Sequence, residues 1–199
     1  CRILYLLVRY YKPTIIFEIG TWIGTSAMVM AEAMRKNNNG GKIYTCDANN
    51  YYSLPGDYSD IISPITAYSD KALKQLPKDT TIDFLFADGE LTFATISQLK
   101  AKLNEKSIIT THDYILPDDK GVLNAVRMQL KMFFQYTLIT PTYNNNVPDK
   151  LNESLIAILV PKTQIIGKAN YDSFFFSFYS TVRIALIALF SKISKKFTG

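Results

Sequence analysis

The chain has 199 residues, 48% hydrophobic and 20% charged, with no low-complexity tract, which fits one globular domain able to bury a substantial core. Its net charge of +5 is unevenly placed: residues 1–161 balance acidic and basic side chains, while residues 162–199 carry Lys162, Lys168, Arg183, Lys192, Lys195 and Lys196 against Asp172 alone. A nucleic-acid enzyme would spread its basic residues over the ligand face, so this distribution argues against a nucleic-acid partner. Two cysteines, Cys1 and Cys46, supply neither a disulfide framework nor metal-ligand spacing, and a buried Cys46 thiol fits a reducing cytoplasm. No signal-peptide pattern opens the chain, and a start at Cys1 suggests numbering from inside a longer product.

Residues 3–11 are apolar around Arg9 and predict a helix that stops before Pro13. Residues 14–26, TIIFEIGTWIGTS, read as a buried strand (Ile15, Ile16, Phe17, Ile19), a glycine turn and a helix start. Gly20 and Gly24 stand where the chain reverses and where backbone must come close to a ligand. Thr25 and Ser26 are placed to cap the helix, whose apolar face is Ala27, Met30, Ala31 and Met34. Free N–H groups at such a helix start favour a polar ligand. The spacing Glu18-x-Gly20-x-x-x-Gly24 is not the Gly-x-Gly-x-x-Gly of dinucleotide sites. Taken alone it also fits an ordinary strand-to-helix turn.

Residues 42–47, KIYTCD, form a second strand. Asp47 ends it about where an acidic residue meets ribose hydroxyls in nucleotide-binding α/β folds, or else is a turn residue before Asn49 and Asn50. Residues 51–64 read as a loop with at most one helical turn, broken by Pro55, Gly56 and Pro64. A short strand at 65–69 and a short helix at 70–76 follow. The apolar run 82–88, IDFLFAD, is a fourth strand ending in Asp88 and Gly89. Residues 92–104 predict a helix with Phe93, Ile96, Leu99 and Leu103 inward. Residues 107–113, SIITTHD, are a fifth strand ending in His112 and Asp113. A helix at 119–134, with Val122, Val126, Leu130 and Phe133 inward, precedes two strands at 135–143 and 155–161 joined only by a loop.

Such alternation predicts a parallel sheet covered by helices on both faces, and the closing pair predicts an antiparallel hairpin at one edge. Ligands in these sheets sit beyond the carboxyl ends of the strands. Glu18 and Gly20, Asp47, Ser69 and Asp70, Asp88, and His112 and Asp113 all fall at those ends. That coincidence over five strands is the strongest signal in the sequence.

From residue 11 to residue 161 the chain resembles the class I S-adenosylmethionine-dependent methyltransferases. It looks closest to the small-molecule O-methyltransferase-like group, whose fourth strand ends in Asp-Gly (here Asp88-Gly89) and fifth in His-Asp-Tyr or Asp-Asp (here His112-Asp113-Tyr114). The resemblance implies a Rossmann-like, doubly wound α/β domain over 1–161, with a seven-stranded, mostly parallel sheet and an antiparallel last strand. It implies S-adenosylmethionine as cofactor, held by Glu18, Gly20, Thr21, Gly24, Thr25, Ser26, Asp47, Ser69, Asp70 and Asp88. Gly20 and Gly24 would border the methionine part, Asp47 the ribose, and Ser69 or Asp70 the adenine. Asp88, His112 and Asp113 are the catalytic candidates for methyl transfer to an oxygen of a small or sugar-like acceptor. Members of the group often hold a divalent cation at these strand ends, which implies Mg²⁺ between Asp88 and Asp113. Relatives with Asp-Gly often carry histidine where this chain has Leu91. His112, the one histidine, reads either as a general base or as a strand-end residue held by hydrogen bonds. Asp88 reads as functional or as a turn residue before Gly89. Trp22 reads as a lid or as packing, the commoner fate of an aromatic.

Residues 162–199 form a basic, apolar C-terminal extension beyond the resemblance, expected to be helical. Arg183 interrupts its apolar run, so a membrane span is marginal. Packing on the domain or on a second copy in a homodimer, or peripheral contact with a membrane through 171–199, are the readings left open. A non-catalytic relative that keeps the fold, tethered through this tail, is the alternative to the enzyme. A nicotinamide enzyme is a weaker third, disfavoured by the glycine spacing.

Overall fold

The computed structural model describes residues 2–112, 124, 127–128, 136–139 and 156–161. Cys1, Asp113, Tyr114 and the extension 162–199 lie outside these. α1 (Arg2–Tyr11) ends as the sequence predicts: Lys12 turns left-handed at φ 48° and its N–H bonds the Val8 carbonyl at 3.0 Å. Then follow β1 (Ile15–Ile19), α2 (Thr25–Asn37), β2 (Lys42–Asp47), a 3-10 turn (Gly56–Tyr58) and β3 (Ile62–Thr66). The second half holds α3 (Ser69–Ala72), β4 (Ile82–Ala87), α4 (Phe93–Lys100), β5 (Leu103–Thr111), β6 (Tyr136–Ile139) and β7 (Ala157–Pro161). Asn124, Arg127 and Met128, inside the helix predicted over 119–134, are helical.

The strands make one Rossmann-like mixed sheet in the order β3-β2-β1-β4-β5-β7-β6. The first five are parallel; β7 runs antiparallel to both β5 and β6, so the closing pair sits at one edge as expected. The chain moves outward from β1 to β3, then returns to place β4 on the other side of β1. That reversal opens a crevice at the β1–β4 carboxyl ends.

Strand alternation divides the core in two. Ile16, Ile43, Phe84, Phe86 and Ile108 face Leu4 and Val8 of α1 and Ala27, Met30, Ala31 and Met34 of α2. Phe17, Ile19, Leu85, Ile109 and Leu159 face Leu73, Leu76, Ile96, Leu99 and Met128. Complete burial of Phe17, Phe84 and Phe86 contributes about 2–3 kcal/mol each. The entry to β1 is pinned by Asp83, whose Oδ2 accepts from the Thr14 N–H at 2.9 Å, the Thr14 hydroxyl at 2.6 Å and the Ile15 N–H at 2.9 Å.

Several local expectations are corrected. The third strand begins at Ile62, not residue 65, and Pro64 lies inside it opposite Thr45. An edge strand bonded only to β2 tolerates a proline, which removes a donor from one side. Ser69 therefore opens α3 instead of closing a strand, next to Asp70, which the sequence already places at the start of that helix.

The helix expected over 92–104 stops at Lys100, and β5 starts four residues before Ser107. A register irregularity takes up the extra residues, closed by side chains: Ser107 Oγ donates to the Ile82 carbonyl at 2.7 Å and accepts from the Asn104 N–H at 2.8 Å. Phe93 is half exposed instead of inward, because Thr92 caps α4 and makes Phe93 its first residue, 5.7 Å from the Arg127 guanidinium.

Lastly, α2 is not capped by Thr25 or Ser26. Gly24, at φ 88°, occupies the cap position, and the Ser26 hydroxyl turns to Glu18.

Candidate functional site

Backbone bonds bind the strand ends into a rim. Gly20 and Thr21 N–H groups donate to the Cys46 carbonyl at 2.8 and 3.2 Å, and Asp88 and Gly89 N–H groups donate to the Ile19 carbonyl at 2.8 and 2.9 Å. The His112 N–H reaches the Ala87 carbonyl at 3.0 Å. Above this rim lies a cleft of about 660 Å³. It is bordered by Gly20 and Trp22 after β1, Asp47 and Ala48 after β2, and residues 67–70 after β3. Asp88, Gly89, Glu90, Thr92 and Thr95 complete it.

Of the residues singled out in sequence, Gly20, Asp47, Ser69, Asp70 and Asp88 come together on this one surface. Glu18, Thr21, Gly24, Thr25 and Ser26 do not border it. Gly20 is required twice over. Its φ is 99°, and a Cβ there would stand 3.1 Å from both Asp88 C and Gly89 N. Gly24 faces Leu54, whose Cδ2 would lie 2.6 Å from an added Cβ.

Asp47 accepts the Trp22 N–H at 3.0 Å on Oδ2 and the Asn49 N–H at 3.1 Å on Oδ1. A carboxylate has about four acceptor sites, so each oxygen keeps capacity for a ligand hydroxyl. Trp22, held in a left-handed conformation at φ 43°, is 66% exposed at the cleft mouth and is not core packing. Tyr68, equally exposed, stands after β3.

Sequence reasoning missed Thr92, Thr95, Asn124 and Arg127. Thr95 Oγ1 and Thr92 Oγ1 join the expected Ser69 Oγ in a hydroxyl chain with successive spacings of 2.9 Å along one wall. Asn124, fully buried, accepts the Leu91 N–H at 2.8 Å and donates to the Gly89 carbonyl at 2.9 Å. Arg127 bonds Glu90 Oε1 at 2.9 Å and the Leu91 carbonyl at 3.0 Å. Together they fix the segment after β4 that carries Asp88. The available signal was the Thr92-x-x-Thr95 cap spacing; nothing local marks Asn124. Leu91 is completely buried, so this position points into the core and away from the cleft.

Asp88 and His112 end adjacent strands, with Asp88 Oδ1 3.2 Å from His112 Nδ1 and both side chains partly exposed. The His112 ring also meets the Phe86 edge, centroids 6.4 Å apart. Such a pair can accept and hold a proton. Asp113, expected to share a cation with Asp88, lies outside the described residues.

Beneath the loop, Glu18 is fully buried. It accepts from Ser26 Oγ at 2.5 Å and from Thr45 Oγ1, which in turn meets Thr21 Oγ1 at 2.6 Å. Burial raises its pKa to about 7; the Ser26 and Thr45 bonds oppose this, and the Asp88 and Asp47 charges add to it. Burial likewise pushes the Cys46 thiol up to about 12, with the Glu18 and Asp47 charges adding.

The folded protein thus holds the Glu18 proton more tightly than the unfolded chain does. The associated stability is fully present below about pH 4.5 and is lost as pH rises through about 7. A shift of that size corresponds to about 3 kcal/mol. Glu18→Gln is expected to flatten this decline, read as a smaller difference between urea midpoints at about pH 5 and about pH 8. An unchanged difference would place the titration elsewhere.

Residues 17–114 match the family model described as a methyltransferase domain. No curated protein matches the chain. Among solved structures, it is similar to the O-methyltransferase from Bacillus cereus in complex with SAH, at 17% identity, covering 80% of this chain and 79% of that one with a TM-score of 0.58. It is similar to the SAH-bound Podospora anserina methyltransferase at 19% identity, with 80% and 76% covered and a TM-score of 0.54. For the SAM-bound O-methyltransferase TomG from Streptomyces achromogenes the values are 16% identity, 80% and 78% covered, and a TM-score of 0.55. At these identities the structural likeness is one of fold.

Proposed function

We propose that the chain is a class I S-adenosylmethionine-dependent methyltransferase, and that its cleft transfers a methyl group from this cofactor to an oxygen of a small acceptor. The single observation that carries the reading is the meeting of Gly20, Asp47 and Asp88 around one cleft at the β1–β4 switch point. These residues fit the cofactor: Gly20 leaves the floor without a side chain, and Asp47 keeps acceptor capacity for ribose hydroxyls. The Ser69–Thr95–Thr92 hydroxyls offer donors and acceptors to a base edge. When bound, the cofactor supplies an electrophilic methyl on a sulfonium sulfur.

The chain's own residues then have three tasks. The rim of bonds among Gly20, Cys46, Ile19, Asp88 and Gly89 holds both sides of the cleft at fixed spacing, so that an acceptor oxygen can be aligned in line. Asp88, with His112 beside it, accepts the proton of the acceptor hydroxyl as the new oxygen–carbon bond forms. Asn124 and Arg127 keep Asp88 in place by fixing the segment behind it.

Calorimetric titration with S-adenosylmethionine and with its demethylated product tests the cofactor site. Saturable heat is expected with both, and no heat with either on folded protein would overturn the assignment. Among the described residues no helix is long and apolar enough to cross a membrane.

A further inference from the structure

We propose that Glu18 is a proton-linked positioning residue beneath the cleft, which favours the positively charged cofactor over its product when it is ionised. This rests on the cofactor reading above and deepens it, because Glu18 does not border the cleft and acts through neighbours.

The geometry joins three elements. Ser26 in the first turn of α2 and Thr45 in β2 both bond the Glu18 carboxyl, and Thr45 continues to Thr21 in the loop after Gly20. Glu18, Thr21 and Thr45 are all buried and Ser26 partly so, which shields most of this chain from water. Each hydroxyl owns one proton. When Glu18 is ionised, Ser26 and Thr45 both donate to it, and Thr21 must donate to Thr45. When Glu18 is protonated, its own proton can turn toward Thr45 or Ser26, and the hydroxyls can reverse. The state of Glu18 therefore sets the hydrogen-bond direction within the loop that forms the cleft floor.

The charges around Glu18 are one-sided. Asp47 at the end of β2 and Asp88 at the end of β4 both act on it, and both border the cleft. Cys46 follows Thr45 on β2, and His112 Nδ1 lies 3.2 Å from Asp88 Oδ1. α2 presents only the Ser26 hydroxyl in its first turn; its first charged residue is Glu32, and α1 beyond it carries Arg2 and Arg9. The negative charges at the cleft walls disfavour the ionised form of Glu18. A cation between those walls must act with the opposite sign and release its proton. By reciprocity, ionised Glu18 must bind that cation more tightly. The cofactor carries a sulfonium charge that its product lacks, so the preference for cofactor over product is expected to grow with pH. A single charge coupled across a partly dry interior is worth about tenfold in affinity.

The test is calorimetry with S-adenosylmethionine and its demethylated product from about pH 5.5 to about pH 8.5, in two buffers of unlike ionisation enthalpy. Wild type is expected to release protons on binding the cofactor near neutrality. Its product-to-cofactor ratio of dissociation constants should rise about tenfold across the range. Glu18→Gln should make that ratio flat, whereas His112→Gln should leave the rise in place. Thr45→Val, which removes a bond that lowers the Glu18 pKa, should move the midpoint to higher pH, and it decides the question if Glu18→Gln does not fold. A flat ratio in wild type, a rise that survives in Glu18→Gln, or a rise abolished by His112→Gln overturns the role of Glu18. Absence of heat with either ligand would instead overturn the cofactor reading itself.

Discussion

Gly20→Ala is expected to abolish cofactor binding and to lower stability by about 2–4 kcal/mol. Two independent causes act at this position. The backbone sits at φ 99°, where a side chain is strained. The new Cβ would also press on the Asp88–Gly89 backbone at 3.1 Å and on Asp88 Cβ at 3.2 Å. That backbone cannot retreat freely, because the Asp88 and Gly89 N–H groups are bonded to the Ile19 carbonyl. Relief must come from shifting Gly20 into the cleft or pushing Asp88 aside, and either change deforms the site. Gly56→Ala is the control: nothing lies within 4 Å of its added Cβ, and stability should change little. Chemical denaturation and cofactor titration of both variants check the pair. Wild-type cofactor affinity in folded Gly20→Ala would remove this glycine from the site.

Asp88→Asn should lower turnover by about 10²–10³-fold while changing cofactor affinity by less than about threefold. The substitution keeps the size of the side chain and its place beside His112, but removes the charge that takes up the acceptor proton. Loss of kcat without loss of cofactor binding is the signature of a group used in the chemical step. A parallel fall in cofactor affinity would assign Asp88 to cofactor binding instead. Activity that survives chelation would leave Asp88 and His112 as the proton acceptors and rule out an essential exchangeable cation.

Much of the scaffold was legible because it rests on local patterns. The run Ile15–Ile19 and the face Ala27, Met30, Ala31 and Met34 announce their elements through period and apolarity, and all four helix positions are buried. The errors fell where tertiary position overrides local preference. Pro64 reads as a breaker until its strand is known to lie at the sheet edge. Residues 103 and 104 continue a helical pattern until β4 offers Ile82 as a partner for Leu103. Ser26 has the composition of a cap, but a buried carboxylate eight residues earlier is a stronger acceptor for its hydroxyl.

The sequence by itself determined that Gly20, Asp47 and Asp88 would share one end of a parallel sheet, because strand termini follow from apolar runs and the turn residues that close them. Only the tertiary structure decided which side chains reach the cleft. It buried Glu18 and Leu91 and left Trp22 exposed at the mouth. It also brought Asn124 and Arg127, more than thirty residues away, against the segment that carries Asp88. The physical reason is that strand order and side-chain direction depend on contacts between distant segments, which no local window contains.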